Sequence, residues 1–327
     1  MSDFRVAVID DWLDTARDSA DWSALEARAE VVFFTRSFPA DSGDEVARQL
    51  GDFDVLLPMR ERSSLREATL RRLPRLKMIA ATGRKTPYID MDYCTRHGII
   101  VSHATSSSLS YAAEMTLALL LAAARRIPAA DTGMRAGRFQ EGVGLGLVLR
   151  GRTLGIIGLG RIGTCMAEYA RALGMRVVAW SQNLTPDQAQ AAGAELLTKE
   201  ELLAQSDVVS LHLVLSERTR GILGRDDLAR MQDGAILVNT ARGPLVDEAA
   251  LLEALHAGRL TAALDVYDEE PLPADHPLRH APNTVLTPHI GFSTREVFGD
   301  FYRGCIDNIL AWLDGSPTHV ANPEVLG

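Results

Sequence analysis

The sequence predicts an α/β protein in which helices cover both faces of doubly wound parallel sheets. Short apolar runs alternate with charged, helix-favouring stretches along most of the chain, the pattern of parallel strands joined by crossover helices. The 327 residues suffice for two such domains at roughly 100–200 residues each. Near the middle, a glycine-patterned turn, Gly158-Leu159-Gly160-Arg161-Ile162-Gly163, joins a strand-like run to a helix-like one.

In the N-terminal third, residues 6–9, 31–34, 55–57 and 78–81 are uninterrupted apolar runs and read as buried strands. Helical patterns lie between them at 17–29 and 65–73. A Ser/Thr-rich stretch at 103–110 leads into 111–126, which is apolar nearly all round and therefore predicted to be a buried helix. Residues 133–152 are rich in glycine and read as a loop-rich connection. A second alternating series follows, with strands expected at 154–157, 176–180, 208–213, 235–239, 262–266 and 285–287. Helices are expected at 162–173 and 248–257. Six strands are the count of a complete doubly wound dinucleotide fold. An amphipathic helix at 295–312 closes the chain.

Composition narrows the functional classes. The formal charge is −9, so no general basic face is expected for nucleic acid or an anionic membrane. The longest apolar stretch, 115–124, falls short of the ~20 residues that span a bilayer. The first residues, M-S-D-F-R-V, lack the pattern of a secretory leader. Three cysteines without paired spacing fit free thiols, and a cytoplasmic setting is expected. No metal site is expected.

The glycine turn is the sharpest chemical signal. Gly158 permits a tight turn, Gly160 lets the backbone approach a pyrophosphate, and Gly163 allows close packing of helix on strand. Amides at the helix start, with Arg161 and Ile162, then face the phosphates. An acid is expected about 20 residues on to hold the ribose 2′-hydroxyl. Ser181 stands there instead, followed by Gln182 and Asn183, and no Arg follows the strand at once. These residues can hydrogen-bond either cofactor. NAD is the expected one, with NADP not excluded.

The runs L-R-G-R-T-L-G-I-I-G-L-G-R-I-G (149–163), V-N-T-A-R-G-P-L-V-D-E (238–248), A-L-D-V-Y-D-E-E-P-L-P (263–273) and T-P-H-I-G (287–291) together resemble the D-isomer-specific 2-hydroxyacid dehydrogenases. The resemblance implies a Rossmann-type domain over 102–290, inserted in a flavodoxin-like substrate domain made of 1–101 and 291–327. It implies hydride transfer between NAD(P)H and a small anionic 2-keto or 2-hydroxy acid, with catalytic roles for Arg242, Glu270 and His289. Glu270 is chosen over Glu269 because it directly precedes Pro271. A ketone gaining a hydride needs a proton donor at its oxygen, which suits histidine, and a carboxylate that holds the ring. A guanidinium can grip the substrate carboxylate in bidentate fashion.

The same resemblance places Asp265 at the nicotinamide carboxamide. Thr240, Ala241 and Gly291 lie beside that ring, and His212 stands on the cofactor wall, where it is read as a packing histidine. A homodimer, formed through the segment after Tyr111, is implied as well.

Two departures stand out. The substrate loop reads Gly83-Arg84-Lys85, with Lys85 where a second glycine is usual, and Arg60 follows another strand of the same domain. Arg60, Gly83, Arg84 and Lys85, with Arg242 and His289, are the candidate substrate-binding residues. Arg84 and Lys85 read either as an anion-attracting rim or as a solvated loop. Phe292 stands where a glycine is common, and either narrows the pocket or packs. The alternative function is that of an NAD(H)-sensing corepressor with vestigial activity.

Overall fold

A computed structural model describes residues 4–38, 43–84, 86–106 and 110–327. The chain forms two compact units. One comprises the described residues of 1–108 with 293–327, and the other those of 109–292.

The first unit is built on five parallel strands: β1 (Arg5–Ile9), β2 (Glu30–Phe33), β3 (Val55–Pro58), β4 (Met78–Thr82) and β5 (Ile100–Ala104), in the order β2-β1-β3-β4-β5. This is the flavodoxin-like order, whose switch point lies between β1 and β3. Both faces are covered: Val6, Ala7, Val8 and Ile9 are all fully buried. The long helix Arg295–Leu313 packs on β4 and β5 through Phe298, Phe301, Tyr302, Cys305 and Ile309, a spacing of three and four that makes one apolar face. Thr294 caps its start by accepting from the Val297 amide. The chain's tail then seals the edge strand β5. Asn322 accepts from the Val101 amide at 2.8 Å and donates to the Ile99 carbonyl at 2.9 Å, so that edge is not left open.

Two expected helices are shorter than their sequence pattern. The 17–29 stretch is two four-residue helices, Ala16–Ser19 and Ser23–Glu26, and 65–73 keeps only Glu67–Leu70. Trp22 turns inward between the first two and donates its indole N–H to the Ala16 carbonyl, breaking the helical path. β5 was not expected, because its polar Ser102 and His103 break the apolar run. Ser102 is nevertheless fully buried.

The second unit carries seven parallel strands: β6 (Thr153–Ile157), β7 (Arg176–Trp180), β8 (Glu195–Leu196), β9 (Val208–Leu211), β10 (Ile236–Asn239), β11 (Thr261–Leu264) and β12 (Thr284–Leu286). Their order is β12-β11-β10-β9-β6-β7-β8. From β6 the chain winds outward to β7 and β8, then returns to the other side of β6 with β9. That reversal is the doubly wound switch point, and it lies where the glycine turn leaves β6. The additional strand, β8, has two residues and no apolar run to announce it. The helix Tyr111–Ala124 buries Leu119, Leu120, Ala123 and Ala124 and packs against β10, β11 and the helix Arg161–Ala172. A helix at Ile127–Arg135 extends into the stretch read as loop.

Asp10, at the carboxyl end of β1, is fully buried. Its carboxylate accepts from the Ser63 hydroxyl at 2.6 Å and the Ser63 amide at 3.1 Å. Burial, partly offset by Ser63, Ser37 and Arg62, pushes its pKa up to about 6. A folded value raised above the unfolded one contributes stability that is complete below the unfolded pKa and is lost as pH rises through the folded pKa. A shift of this size corresponds to roughly 3 kcal/mol between about pH 4 and pH 7.5. Denaturant unfolding at both pH values should therefore show a pH-dependent loss in the natural protein that is missing from Asp10→Asn. Equal pH dependence in the two proteins would show that Asp10 does not carry it.

Candidate active site

Two of the three glycines of the turn, Gly158 and Gly163, are required by their surroundings. Gly158 has φ +103°, and a Cβ there would lie 2.8 Å from the His212 backbone. At Gly163 a Cβ would lie 2.3 Å from the Gly158 carbonyl oxygen, so the helix packs directly on the turn. Gly160 faces open space. It is the N-cap of the helix Arg161–Ala172 and offers no side chain to the first amides, which leaves them for an anion. Arg161 is exposed beside them and Ile162 is half-buried. An open glycine backed by a closely packed turn fits a dinucleotide pyrophosphate.

Ser181 and Gln182 follow β7 directly and line a cavity of about 950 Å³. Trp180, Leu184, Leu196, Leu197 and Ile222 form its apolar walls, and Arg218 comes to its rim from the loop after β9. Arg218 has no sequence signal as a site residue, because it comes to share a cavity with Ser181 only through the β6–β9 reversal.

His212 directly follows β9 on the other side of the turn. Its Nε2 lies 2.8 Å from the Ser210 hydroxyl, and burial pushes its pKa down to about 4, so the ring is neutral near pH 7. At the end of β10, the buried Asn239 accepts from the Ala241 amide at 3.0 Å and donates to the Arg242 carbonyl at 2.9 Å. Thr240 is hydrogen-bonded to Thr116 at 2.7 Å. Because Thr116 donates to the Ala112 carbonyl, Thr240 is the donor of that pair. Asn239 and Thr116 were not singled out in the sequence, since a buried polar residue at the end of an apolar strand or inside an apolar helix looks like ordinary core.

Asp265 directly follows β11 and is buried, with its carboxylate turned to the 287–291 loop. It accepts from the Thr287 hydroxyl at 2.6 Å, the Ile290 amide at 2.9 Å and the Gly291 amide at 2.8 Å. Burial raises its pKa, while those three donors and His289 pull it back. A Cβ at Gly291 would lie 2.9 Å from the same carboxylate, so this glycine is set by the clamp.

The three candidate catalytic residues all belong to the second unit. His289 Nδ1 lies 2.5 Å from Glu270 Oε2. Glu270 Oε1 accepts from the Tyr267 amide at 2.9 Å, and the Tyr267 hydroxyl donates to the Thr287 carbonyl at 2.9 Å. Burial raises the Glu270 pKa, but the hydrogen bond and charge of His289, the Tyr267 amide and Arg242 outweigh it, and the net shift is downward. Glu270 is thus held as a carboxylate that orients the ring, with Nδ1 as donor and Nε2 available for proton transfer. Phe292 is buried and meets the His289 ring edge-on at 5.8 Å, so it packs against the imidazole. Arg242 is exposed, and its guanidinium donates to the Ala241 carbonyl at 2.7 Å.

The remaining candidates lie on the first unit. Arg60, after β3, has φ +66° and donates its amide to the Thr82 hydroxyl. Its guanidinium stands 3.6 Å from the Glu61 carboxylate and over the Phe301 ring. A Cβ at Gly83 would lie 2.5 Å from that guanidinium, so Gly83 and Arg60 are neighbours. Arg84 is exposed. Burial lowers the His103 pKa, and the charge of Arg84 lowers it further. Lys85 lies outside the described residues. Among the described residues no group of acidic, histidine and cysteine side chains is arranged to hold a metal. Among the described residues no helix is long and apolar enough to cross a membrane.

Comparison with known proteins agrees with this geometry. Residues 117–291 match the NAD binding domain of the D-isomer specific 2-hydroxyacid dehydrogenases. The chain is 41% identical to the glyoxylate reductase of Aeropyrum pernix over 266 residues, 79% of each protein. It is 39% identical to the D-3-phosphoglycerate dehydrogenase of Archaeoglobus fulgidus over 256 residues, 78% of this chain and 48% of that protein, so it spans about half the length of that relative. A phosphoglycerate oxidoreductase from Vibrio cholerae o395 superposes with a TM-score of 0.89 at 33% identity, covering 95% of this chain and 99% of that one. A nucleotide turn at the switch point, a His–Glu pair following the last two strands and the match over 117–291 have one common reading: the chain belongs to the D-isomer specific 2-hydroxyacid dehydrogenase family.

Proposed function

We propose that this chain is an NAD(P)-dependent oxidoreductase that interconverts a small 2-keto acid and the corresponding D-2-hydroxy acid. The observation that carries the reading is the 2.5 Å contact of His289 with Glu270, on the unit that also holds the nucleotide turn. A bound nicotinamide supplies hydride to carbon 2 of the keto acid, or removes it from the hydroxy acid. His289 gives its Nε2 proton to the carbonyl oxygen as it becomes a hydroxyl, and takes it back in the reverse direction. Glu270 stabilises the protonated imidazole and fixes the ring. Arg242 grips the substrate carboxylate and stabilises charge at the carbonyl. Asp265 holds the loop that presents His289, and Gly158, Gly160, Gly163, Ser181 and Gln182 serve the dinucleotide.

Arg84, with Arg60 and Lys85, supports the reading of an anionic substrate, because these cations stand out on a chain of net charge −9. The proposed assembly is a homodimer. Its support is a run of exposed apolar side chains within one stretch: Ile127, Met134, Phe139, Leu145 and Val148, with Leu145 94% exposed. Three free cysteines fit the proposed reducing, cytoplasmic setting.

His289→Ala should lower kcat for keto-acid reduction by about 10²–10⁴-fold while NADH binding, read by fluorescence titration, persists. In Glu270→Gln the protonated ring loses its carboxylate, so the alkaline fall in reduction rate should move to lower pH. Turnover of His289→Ala at the natural rate would remove the acid–base assignment.

Arg84→Ala should cut kcat/KM by roughly tenfold or more for a phosphorylated or dicarboxylic substrate, and by less for a monocarboxylate. The loss should shrink as salt is raised. Unchanged kcat/KM with every substrate would make Arg84 a solvated surface cation.

Sedimentation should find a dimer in the natural protein and a monomer in the double variant Phe139→Glu, Leu145→Glu. A natural protein that sediments as a monomer at micromolar concentration would overturn the assembly.

A further inference from the structure

The cavity at the carboxyl end of β7 carries a charge that the proposed chemistry leaves unused. Its aliphatic walls suit a purine ring, and its polar side is Ser181 and Gln182. Most of its charged residues are accounted for. Lys199 is held 2.9 Å from Asp227 and donates to the Ile222 carbonyl. Glu201 folds back on Thr198, accepting from its amide and hydroxyl at 3.0 and 2.9 Å. Glu200 sits beside it in the first turn of the helix Lys199–Gln205, where the backbone dipoles favour a negative side chain. Arg218 is exposed, lies outside any helix or strand, and has no charge partner among the described residues.

At the end of the second strand, a carboxylate would accept the ribose 2′-hydroxyl and repel a phosphate in its place. Ser181 is neutral there, so the carboxylate that would exclude a 2′-phosphate at that position is missing, and the carboxylates that line the cavity are Glu200 and Glu201 of the helix start. A guanidinium on the rim of the same cavity supplies the attractive element, since its planar fork matches phosphate oxygens. We propose that Arg218 is a cofactor-selecting residue: with Ser181 and Gln182 it takes the 2′-phosphate of NADPH, so that the chain binds NADPH at least as tightly as NADH. This rests on the dinucleotide reading above and adds to it the residue that sets the preference.

A guanidinium on this rim has one other use, stacking on the adenine face, which would serve both cofactors alike. Direct binding separates the two. The probes are NADH and NADPH, titrated by nicotinamide fluorescence into the natural protein, Arg218→Ala and Ser181→Asp, at low and high salt.

The natural protein should bind NADPH no more weakly than NADH at low salt, with the advantage of NADPH falling as salt rises. Arg218→Ala should weaken NADPH by about ten- to a hundredfold and leave NADH within about twofold. Ser181→Asp should act in the same direction by repulsion. A natural protein that binds NADH more than about tenfold tighter than NADPH overturns the proposal, as does an equal loss of both cofactors in Arg218→Ala. In either of those cases retained NADH binding shows that the cofactor-selection inference alone has failed. A natural protein that binds neither cofactor removes the dinucleotide reading and this inference together.

Discussion

The candidate chemistry depends on one buried carboxylate. Asp265 does not face solvent. It directly follows β11 and holds the loop after β12 by three hydrogen bonds, from Thr287, Ile290 and Gly291. The loop needs such a clamp because His289 has φ +53°, a left-handed backbone that costs a non-glycine residue about 1–2 kcal/mol. Held in that conformation, the imidazole meets Glu270 on one side and the edge of Phe292 on another. Released from it, the loop would relax and the ring would lose its orienting partner. The backbone strain is therefore local to the group proposed to move protons, and the hydrogen bonds that offset it come from the adjacent strand.

A second constraint is the reversal of strand order at β6 and β9. Outward winding to β7 and β8, followed by return to β9, brings the ends of β6, β7 and β9 to one place. The glycine turn, Ser181, His212 and Arg218 come from separate parts of the chain and are gathered by that topology. The same geometry leaves the helix start at Gly160 uncapped by any side chain, which is the arrangement an anion completes. His212 is kept neutral by burial, so the wall behind the turn adds no cation of its own near pH 7. Two arginines are exposed here, Arg161 at the helix start and Arg218 on the cavity that Ser181 lines.

Carboxylates in this protein are distinguished by their surroundings. Asp10 is shut into the first unit with Ser63 and held up near pH 6, so it acts as a structural group that prefers its proton. Glu270 is partly exposed but meets His289, Arg242 and the Tyr267 amide, and is held down. Burial raises both. The sign of the shift follows from whether the partners outweigh it, as His289, the Tyr267 amide and Arg242 do at Glu270 and as Ser63, Ser37 and Arg62 do not at Asp10.

By itself the sequence determined the α/β class and the glycine turn, and its resemblance to a family named Arg242, Glu270 and His289 as catalytic candidates. Uninterrupted apolar runs can satisfy a sheet buried on both faces, and glycine is forced wherever a Cβ would meet backbone, as at Gly158 and Gly163. Those three candidates were legible because each sits in a short run that carries the resemblance. Strands with a weak apolar signal were not legible. β5 hides behind Ser102 and His103, and β8 is two residues long; both are strands because neighbouring strands pair with them. The helix expected over 17–29 was broken by Trp22, whose indole has a better place inside than along a solvent face. Only the tertiary structure decided that Phe292 packs on the His289 ring, that Asp265 is a clamp on the loop bearing His289, and that Arg218 shares a cavity with Ser181. Each of these joins residues far apart in the chain, and strand order and packing bring such partners together where local propensity carries no trace of them.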